Sequence, residues 1–583
     1  MKNSLRKVKN AKILGKRLQL NWVFPEMNNL GWKRHLEYKF YIYIMWLHLL
    51  LPLSLLFNTI NKTNEYPNIL WISVEDMSPH LGVYGEKIAR TPHLDALSKE
   101  SIVFKNAFST AGVCAPSRAA IITACHQWTI GAQHMRTQVP NMPNALQNYP
   151  PGYKSYSALL PENLTLFPQV LREHGYYCTN NEKQDYQFEA PVTLWNENSN
   201  KAHWRNRPSG KPFFSVFNLM ITHESQVWTR AHEPLKVNPE DIPLPVYYPD
   251  TKNVRLDVAR HLTNVMNMDS IVGDILQQLK KDNLYENTII FFWSDHGDGL
   301  PNVKREIYDR GIRVPLMIRI PKKYQQQLNL RSGFNHDLVS LLDLGPTVLS
   351  LAGIKPSNAY QGKPFLGKYT AGKRKYIFSG RDRMDSEYDR VRGVHDGRFT
   401  FYINYSPEKP YYQNISYRLQ QAGMRDILKL KEGGQLNNLQ NRWFETKPEE
   451  ELFDISTDPN EFINLIHSPD LENKKQELKK ALQNQLEMNG DFGAINEMDM
   501  VKKFWHGDKM PVTANAEIIK SGSGIKIKSI QPGTTIAYQL SNTSTPTSAW
   551  LPYINTLITK KENEYLIVRS HRIGYSYSDQ VIQ

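Results

Sequence analysis

Cysteine is scarce in this chain: three among 583 residues, Cys114, Cys125 and Cys178, with no Cys-x-x-Cys pair. That excludes a scaffold stapled by disulfides and a structural zinc site built on cysteine pairs. In an exported protein an odd count leaves one thiol unpaired, and Cys125 and Cys178 are either joined to each other or both free. Internal repeats and low-complexity tracts are absent, which excludes a solenoid or a disordered chain. Long apolar runs are nearly absent too. The exception is FYIYIMWLHLLLPLSLLF at 40–57, which follows a basic stretch. It reads as the n- and h-regions of an export signal, with a transmembrane anchor as the rival because 18 residues approach spanning length. Pro52 and His48 inside the run favour the signal, so a periplasmic or secreted protein with no stable membrane span is expected. No cysteine follows the run to carry a lipid, and Met27 is an alternative start that leaves a shorter basic lead.

A strong excess of one charge is also missing from most of the chain. The formal net charge is +14, but residues 1–60 hold ten Lys/Arg against two Glu and account for +8. The remainder has 61 basic and 55 acidic residues, or +6. A body this mildly basic suits an anionic substrate, and no nucleic-acid partner is expected. The length allows a large core and implies two or three domains.

What the chain does have, from residue 67 on, is an alternation of short apolar runs with amphipathic segments. NILWIS (68–73), VFKNAF (103–108), PFFSVFNLM (212–220), NTIIFFWS (287–294) and VPLMIRI (314–320) read as strands. TPHLDALSKE (91–100), SRAAIITA (117–124), LTLFPQVLREHG (164–175), the long 258–283 segment and LVSLLDLGPTVLSLAG (338–353) read as helices. Pro116 opens the second of these and a glycine stops the third. Strands apolar on both faces, alternating with helices, predict an α/β fold with a large mixed, mostly parallel sheet sandwiched by helices. After about residue 370, FTFYINY (399–405), EELFDISTDPNEFINLI (450–466) and a charged helix at 468–488 predict a smaller α+β subdomain. The tail from 512, rich in Thr, Ser, Ile and Tyr, predicts a small β-sandwich. The expected divisions are 1–60, 61–370, 371–511 and 512–583.

In an open parallel sheet, ligands bind at the carboxyl ends of the strands. Glu75 and Asp76 follow the first strand, Asp295, His296 and Asp298 follow NTIIFFW, and His223 follows PFFSVFNLM. Acidic residues ending two different strands can converge on one hard cation such as calcium, whereas either locus alone reads equally as a helix-starting or turn carboxylate. Cys114, in VCAPSRAAIITA (113–124), sits just before a predicted helix start. The free N–H groups there support negative charge, and Arg118 is one turn in. By position alone, this thiol is more often buried filler than chemistry.

CAPSR followed by AAIITA resembles the Cys-x-Pro-Ser-Arg element of the formylglycine-dependent sulfatases, a branch of the alkaline-phosphatase superfamily. PNILWISVEDMSPHLGVYG, TPHLDALSKESIVFKNAFS, NTIIFFWSDHGDG, YDRGIRVPLMIR, LLDLGPTVLSLAGI and EELFDISTDPNEFINLI resemble further family segments in the same order, so the likeness spans about residues 66–490. It implies an alkaline-phosphatase-like fold and a sulfuric ester hydrolase. It also implies that a formylglycine-generating or anaerobic sulfatase-maturating enzyme oxidises Cys114 to an aldehyde, 3-oxoalanine (formylglycine). One hydroxyl of the hydrated aldehyde attacks sulfur, and the second loses its proton to expel sulfate as the aldehyde re-forms. One calcium ion is implied on Glu75, Asp76, Asp295 and His296, with position 114 in its shell. Arg118 is implied to orient the diol, Lys183 and His223 to serve the leaving oxygen, and Lys304 to grip the sulfate, with Arg305 as an alternative. There are three departures. Glu75 stands where Asp is commoner, Asp185 where a Gly-Lys-x-His element has histidine, and Ala124 where glycine is usual.

YYCTNNEKQDY, THES and RDRMD resemble heparan N-sulfatases and bacterial polysaccharide sulfatases. The implied substrate is a sulfated carbohydrate such as algal ulvan or its oligosaccharides, with a glycosaminoglycan as the alternative. A phosphatase or phosphodiesterase of the same superfamily is disfavoured, because those use Ser or Thr and usually two zinc ions. His134, Arg136, Arg381 and Arg383 are candidates for choosing the sugar, the arginines by bidentate pairing with a carboxylate or second sulfate; the equal alternative is internal salt bridging. The tail resembles a small C-terminal β-domain of some bacterial polysaccharide-degrading enzymes, chiefly at His571, Arg572 and Gly574, and is not expected to be catalytic.

Overall fold

The apolar runs become strands because both of their faces are covered. A computed structural model describes residues 66–139, 149–522 and 524–582. The basic extension and the 40–57 run lie outside the described residues. Eight strands form one sheet: β1 (Asn68–Val74), β2 (Ser101–Phe108), β3 (Tyr177–Asn181), β4 (Glu197–Asn198), β5 (Phe213–Leu219), β6 (Thr288–Ser294), β7 (Arg313–Arg319) and β8 (Gly333–Ser340), in the order β4-β3-β5-β1-β6-β7-β2-β8. Only β7 runs against its neighbours β6 and β2; every other pairing in the sheet is parallel. Successive residues of β1 point to opposite faces. Ile69 and Trp71 join Phe214, Phe291 and Trp293 in one core, while Leu70, Ile72 and Val74 join Phe213, Ile290 and Phe292 in the other. Trp71 anchors the first core by edge-on packing against Phe214 and Trp293, each with ring centroids 5.2 Å apart. The second core is closed by the 30-residue helix Lys252–Lys281.

That helix begins six residues before the predicted 258, where Thr251 caps it by accepting from the Val254 amide at 3.2 Å. The 338–353 segment is not one helix: Leu338 to Ser340 finish β8 and the helix covers Leu344–Leu351. An apolar run of this kind does not say where strand gives way to helix. Cys125 and Cys178 are both free and buried, so the chain carries no disulfide between them.

A second, antiparallel sheet follows, formed by β9 (Ile377–Arg381), β10 (Val391–His395), β11 (Phe399–Asn404) and β12 (Glu450–Asp454), in the order β12-β11-β10-β9. Leu478 and Leu482 of the helix Glu472–Asn489 pack on it against Phe378, Val394 and Phe401. The tail holds a hairpin of β13 (Glu517–Ser521) and β14 (Gly524–Lys528). It also holds a four-stranded antiparallel sheet of β15 (Thr534–Ser541), β16 (Leu551–Pro552), β17 (Tyr565–Arg572) and β18 (Ser578–Ile582). Ile527, Ile536, Leu566 and Val568 form their common core. The tail is fastened to the first sheet's layer: Arg572 Nη2 donates to the Leu160 carbonyl at 2.6 Å, and Ile573 enters that layer's core. Gly574, at φ 105°, packs against Leu159, where a Cβ would meet Leu159 Cδ1 at 2.6 Å.

Helix Cys114–Thr123 ends at Ala124 with φ 53°. This left-handed C-cap is the conformation that favours glycine, which explains the family's usual residue at this position. Its carbonyl accepts from the Gln361 and Gly362 amides at 3.0 and 2.9 Å, so the strained turn is held from outside the helix. Left-handed backbone costs an L-residue about 1–2 kcal/mol, offset in part by the entropy of glycine. Ala124→Gly is therefore expected to stabilise the fold by up to about 1 kcal/mol, read as a rise of a few degrees in Tm; an unchanged or lower Tm would contradict the strain.

Candidate active site

Register alone brings the two acidic loci together. Val74 of β1 lies beside Leu219 of β5 and Ser294 of β6. The next residues, Glu75 and Asp295, therefore leave the sheet side by side at its carboxyl edge. The Glu75 amide donates to the Leu219 carbonyl at 3.1 Å and the Asp295 amide to the Val74 carbonyl at 3.2 Å. Asp76 then turns into the site at φ 49°, its amide donating to Asp295 Oδ1 at 3.1 Å. Glu75, Asp76, Asp295 and His296 have no solvent exposure.

The helix bearing Cys114 closes this edge. Cys114 is itself the first helical residue, three earlier than the predicted start. Ser117 Oγ donates to the Asp295 carbonyl at 2.7 Å, fixing the helix to the end of β6. Cys114 Sγ lies 3.2 Å from His296 Nε2 and 3.6 Å from Asp76 Oδ1. Gly112 contacts the backbone of Glu306 too closely to admit a Cβ, and its carbonyl accepts from the Arg305 amide at 2.6 Å. The loop carrying Lys304 is thereby pressed against the start of the helix.

Buried carboxylates need partners. Arg118 supplies three contacts: Nη2 to Glu75, Nε to Asp295 Oδ2 at 3.3 Å, and Nη1 to Asn218 Oδ1 at 3.0 Å. Lys183 Nζ reaches Glu75 Oε2 at 2.6 Å. Lys304 Nζ reaches Asp76 Oδ2 at 2.5 Å and Glu224 Oε1 at 2.9 Å. Burial alone would raise the Glu75 and Asp76 carboxyls, but Arg118 and Lys183 for the first, and Lys304 for the second, hold both below the usual range. Asp295 goes the other way, raised by burial and by the neighbouring Glu75. Burial likewise pushes the Cys114 thiol up, so as a thiol it is a poor nucleophile. His223 is half-buried, with Nδ1 hydrogen-bonded to Ser225 Oγ at 2.8 Å; burial and Lys304 draw it down to about 4.

The donor set fits a divalent cation. Ligand atoms of Asp76, Cys114, Asp295 and His296 lie within 4.8 Å of one another, and Glu75, Asp76, Cys114 and His223 form an overlapping group. Glu75, Asp76 and Asp295 bring three buried carboxylates to one strand edge, and carboxylate oxygens are the donors hard cations select. A third group, His80, His261 and Asp298, stands apart and is closed by its own hydrogen bonds, with His80 and His261 Nε2 at 2.7 and 2.9 Å from the Asp298 oxygens.

The structure thus gathers Glu75, Asp76, Cys114, Arg118, Lys183, His223, Lys304, Asp295 and His296 in one place. Of the paired alternatives, Lys304 faces the cluster, and Arg305 is committed to Glu224 by two bonds of 2.9 and 2.8 Å. Asp185, at the position where histidine was expected, lies 3.6 Å from Lys183 Nζ. Glu224 and Asn218 escaped the sequence reading. Glu224 adjoins His223, and its amide donates to Asp76 Oδ2 at 2.7 Å; its position in THES was the available signal. Asn218 sits within β5 and has none.

Three of the four sugar-choosing candidates are corrected. Arg381, 3% exposed, is paired with Glu306 at 2.5 Å and with Asp389. Arg383 has no exposure and pairs with Glu497 at 2.6 and 2.9 Å. His134 is buried, its Nδ1 3.2 Å from the Arg383 amide. These groups serve the packing of β9 against its surroundings, because a buried guanidinium needs a charge partner. Arg136 alone of the four is only half-buried, its side chain 36% exposed.

Residues 67–354 match the family model described as sulfatase, and residues 301–432 match that described as N-sulphoglucosamine sulphohydrolase, C-terminal. The chain is 39% identical over 557 residues to an ulvan-active sulfatase of Formosa agariphila, covering 89% of this chain and 91% of that protein. It is 24% identical to human N-sulphoglucosamine sulphohydrolase, covering 69% of this chain and 86% of that protein. A solved structure of a 2-O glycosaminoglycan sulfatase superposes with a TM-score of 0.53 at 18% identity, covering 74% of this chain and 94% of that one, and shares the fold.

The buried Arg383–Glu497 pair gives a direct check on these placements. Arg383→Ala leaves a charge buried and unpaired, and is expected to destabilise the fold by about 3–5 kcal/mol in denaturant titration. A loss below about 1 kcal/mol would mean that the pair is open to solvent.

Proposed function

The chain belongs to the sulfatase family and is a sulfuric ester hydrolase, and from that premise we propose that it desulfates ulvan or its oligosaccharides, using an aldehyde made from Cys114 and a calcium ion. The observation that carries the substrate is the 39% identity, over nine-tenths of both chains, to an ulvan-active sulfatase. Glycosaminoglycan is the second reading, favoured by the match of residues 301–432 to the N-sulphoglucosamine sulphohydrolase model. A polysaccharide substrate agrees with the export signal read at 40–57, and we place the enzyme in the periplasm or outside the cell. The divisions 61–370, 371–511 and 512–583 remain our proposal for the domains.

Glu75, Asp76, Asp295 and His296 would hold the calcium ion, which when bound neutralises sulfate charge and acidifies the nucleophile. Oxidised and hydrated, position 114 supplies an oxygen nucleophile together with a second hydroxyl for release. Cys114 Sγ marks where those oxygens stand. Arg118, held by Glu75, Asp295 and Asn218, is a fixed cation one turn into the same helix. Lys183 from the Glu75 side and Lys304 from the Asp76 side provide ammonium donors for sulfate oxygens. Burial opposes the charge on Lys304, but Asp76 and Glu224 keep it protonated. His223 Nε2 is the atom left to deliver a proton to the leaving sugar oxygen, since Nδ1 is engaged by Ser225. An arriving sulfate ester is anionic and raises the depressed His223 toward protonation. Cys114 is 2% exposed, so a separate maturation enzyme would reach CAPSR before the chain closes over it.

Mass spectrometry of the peptide covering residue 114 in active protein is expected to show it about 18 Da lighter than the cysteine form, the balance for converting the thiol to an aldehyde. Cys114→Ala should abolish sulfate release from ulvan, heparan and chondroitin oligosaccharides alike without lowering Tm by more than a few degrees. An unmodified thiol in fully active protein would overturn the aldehyde. Chelation should lower Tm and activity together, and calcium at about 100 times Kd should return about 2.7 kcal/mol of stability; restoration by zinc and not by calcium would refute the hard-cation assignment.

A further inference from the structure

The catalytic cluster accounts for the sulfate but for nothing of the sugar beyond it. Beside it stand three half-buried side chains, Trp228, Tyr417 and Arg136, with little or no hydrogen bonding among the described residues. Trp228 lies on the short helix Ser225–Thr229, immediately after His223 and Glu224. Tyr417 packs in a small apolar group with Val113, the residue before Cys114. The Trp228 and Tyr417 rings meet edge-on, with centroids 5.2 Å apart at 76°, and the Arg136 guanidinium carbon lies 5.5 Å from the Tyr417 centroid. Tyr417 also feels the charges of Glu224, Lys304 and Arg305, which places this corner against the loop that bears Lys304.

The lack of any close partner for the whole polar end distinguishes these side chains from the arginines around them. Among the described residues, neither the Trp228 indole N–H nor the Tyr417 hydroxyl has a hydrogen-bond partner, and the Arg136 guanidinium makes only a 3.6 Å contact with Asp385. Arg118, Arg305, Arg381, Arg383 and Arg392, by contrast, each make at least one hydrogen bond to a carboxylate at 3.3 Å or less. Arg136 is held at φ 57° and Asp385 at φ 50°, left-handed conformations that L-residues adopt at a cost and that cluster at ligand sites. An aromatic corner with free donors offers a face for the apolar side of a pyranose and hydrogen bonds for its hydroxyls. A guanidinium fork beside it matches a carboxylate or a sulfate bidentately.

We propose that Trp228, Tyr417 and Arg136 form a subsite for the sugar that adjoins the sulfated one, and that this sugar is anionic, with Arg136 pairing its carboxylate or its own sulfate. The proposal rests on the sulfatase reading above and adds the charge and position of the neighbouring unit. Arg136 is a specificity residue and takes no part in S–O cleavage.

The test compares wild type, Arg136→Gln and Arg136→Lys on ulvan oligosaccharides before and after chemical reduction of their carboxyl groups, with sulfate release as the readout. Losing a bidentate charge-assisted pair predicts that Arg136→Gln lowers kcat/KM about 10- to 100-fold, mostly through KM, with Arg136→Lys in between. If the partner is a carboxylate, carboxyl reduction lowers wild-type kcat/KM by a similar factor and leaves Arg136→Gln unaffected. If it is a second sulfate, carboxyl reduction has no effect, and the Arg136→Gln loss disappears on monosulfated substrates. An equal loss on every substrate, or a loss below two-fold on all, overturns the subsite. Trp228→Ala should weaken binding of the same oligosaccharides regardless of their charge. Calorimetric titration of Cys114→Ala protein, with and without Arg136→Gln, measures the subsite without turnover. Should wild type release no sulfate from any substrate, the sulfatase reading fails, and this titration still decides the subsite: a 10-fold or greater difference in Kd upholds it and equal Kd values overturn it.

Discussion

Burying Glu75, Asp76, Asp295 and Glu224 at one edge of a sheet is the constraint on which the rest of this structure depends. Each carboxylate taken out of water costs several kcal/mol unless it is paired and hydrogen-bonded. Arg118, Lys183, Lys304 and Arg305 meet that demand, and each comes from a different part of the chain than the carboxylate it faces. The loop after β3, the helix after β2 and the loop after β6 are therefore drawn to a single point at the carboxyl ends of parallel strands. The same burial pushes the Cys114 thiol up, which makes it a poor nucleophile as an unmodified thiol.

The second sheet obeys the same rule for a different purpose. Arg381, Arg383 and Arg392 are buried against Glu306, Asp389, Glu497, Asp382 and Asp491, and these pairs lock β9 and β10 to the loop bearing Lys304 and to the helix Glu497–Trp505. Each arginine is neutralised within the protein, so none is left to read a substrate. Among the described residues Arg136 makes no ion pair closer than 3.6 Å, to Asp385, and it stands on a loop whose neighbour Met135 is tied by its amide to the Arg383 carbonyl at 2.8 Å. A rigid network of paired charges thus supports the loop that carries Arg136, and recognition gains from being held by rigid supports.

Five of the eight strands of the large sheet were legible because burial writes a continuous apolar run, as in β1 and β6, whereas β3, β4 and β8, nearer its edges, carry no such run. Element ends were less so. Thr251 lies outside the apolar pattern of the helix it caps, and Leu338 to Ser340 belong to a strand although their apolar run continues into a helix. Ala124 shows the reverse case, in which a departure in the sequence acquires its meaning only from a backbone angle. The buried charged cluster was legible since its members end strands or stand in short motifs. Glu224 and Asn218 were not, because an acid beside a histidine and an asparagine inside a strand have no signature of their own.

By itself the amino-acid sequence determined the fold class and which charged residues gather around Cys114, because period, strand-end placement and the CAPSR motif are local properties of the chain. Only the tertiary structure decided which of the arginines are committed to buried carboxylates. Arg136, Arg381 and Arg383 are alike as letters, and each could pair with a carboxylate of the protein or of a ligand. The difference lies in which acids the fold brings within reach, and those acids, Glu306, Asp389 and Glu497, are 75, 8 and 114 residues away from their partners.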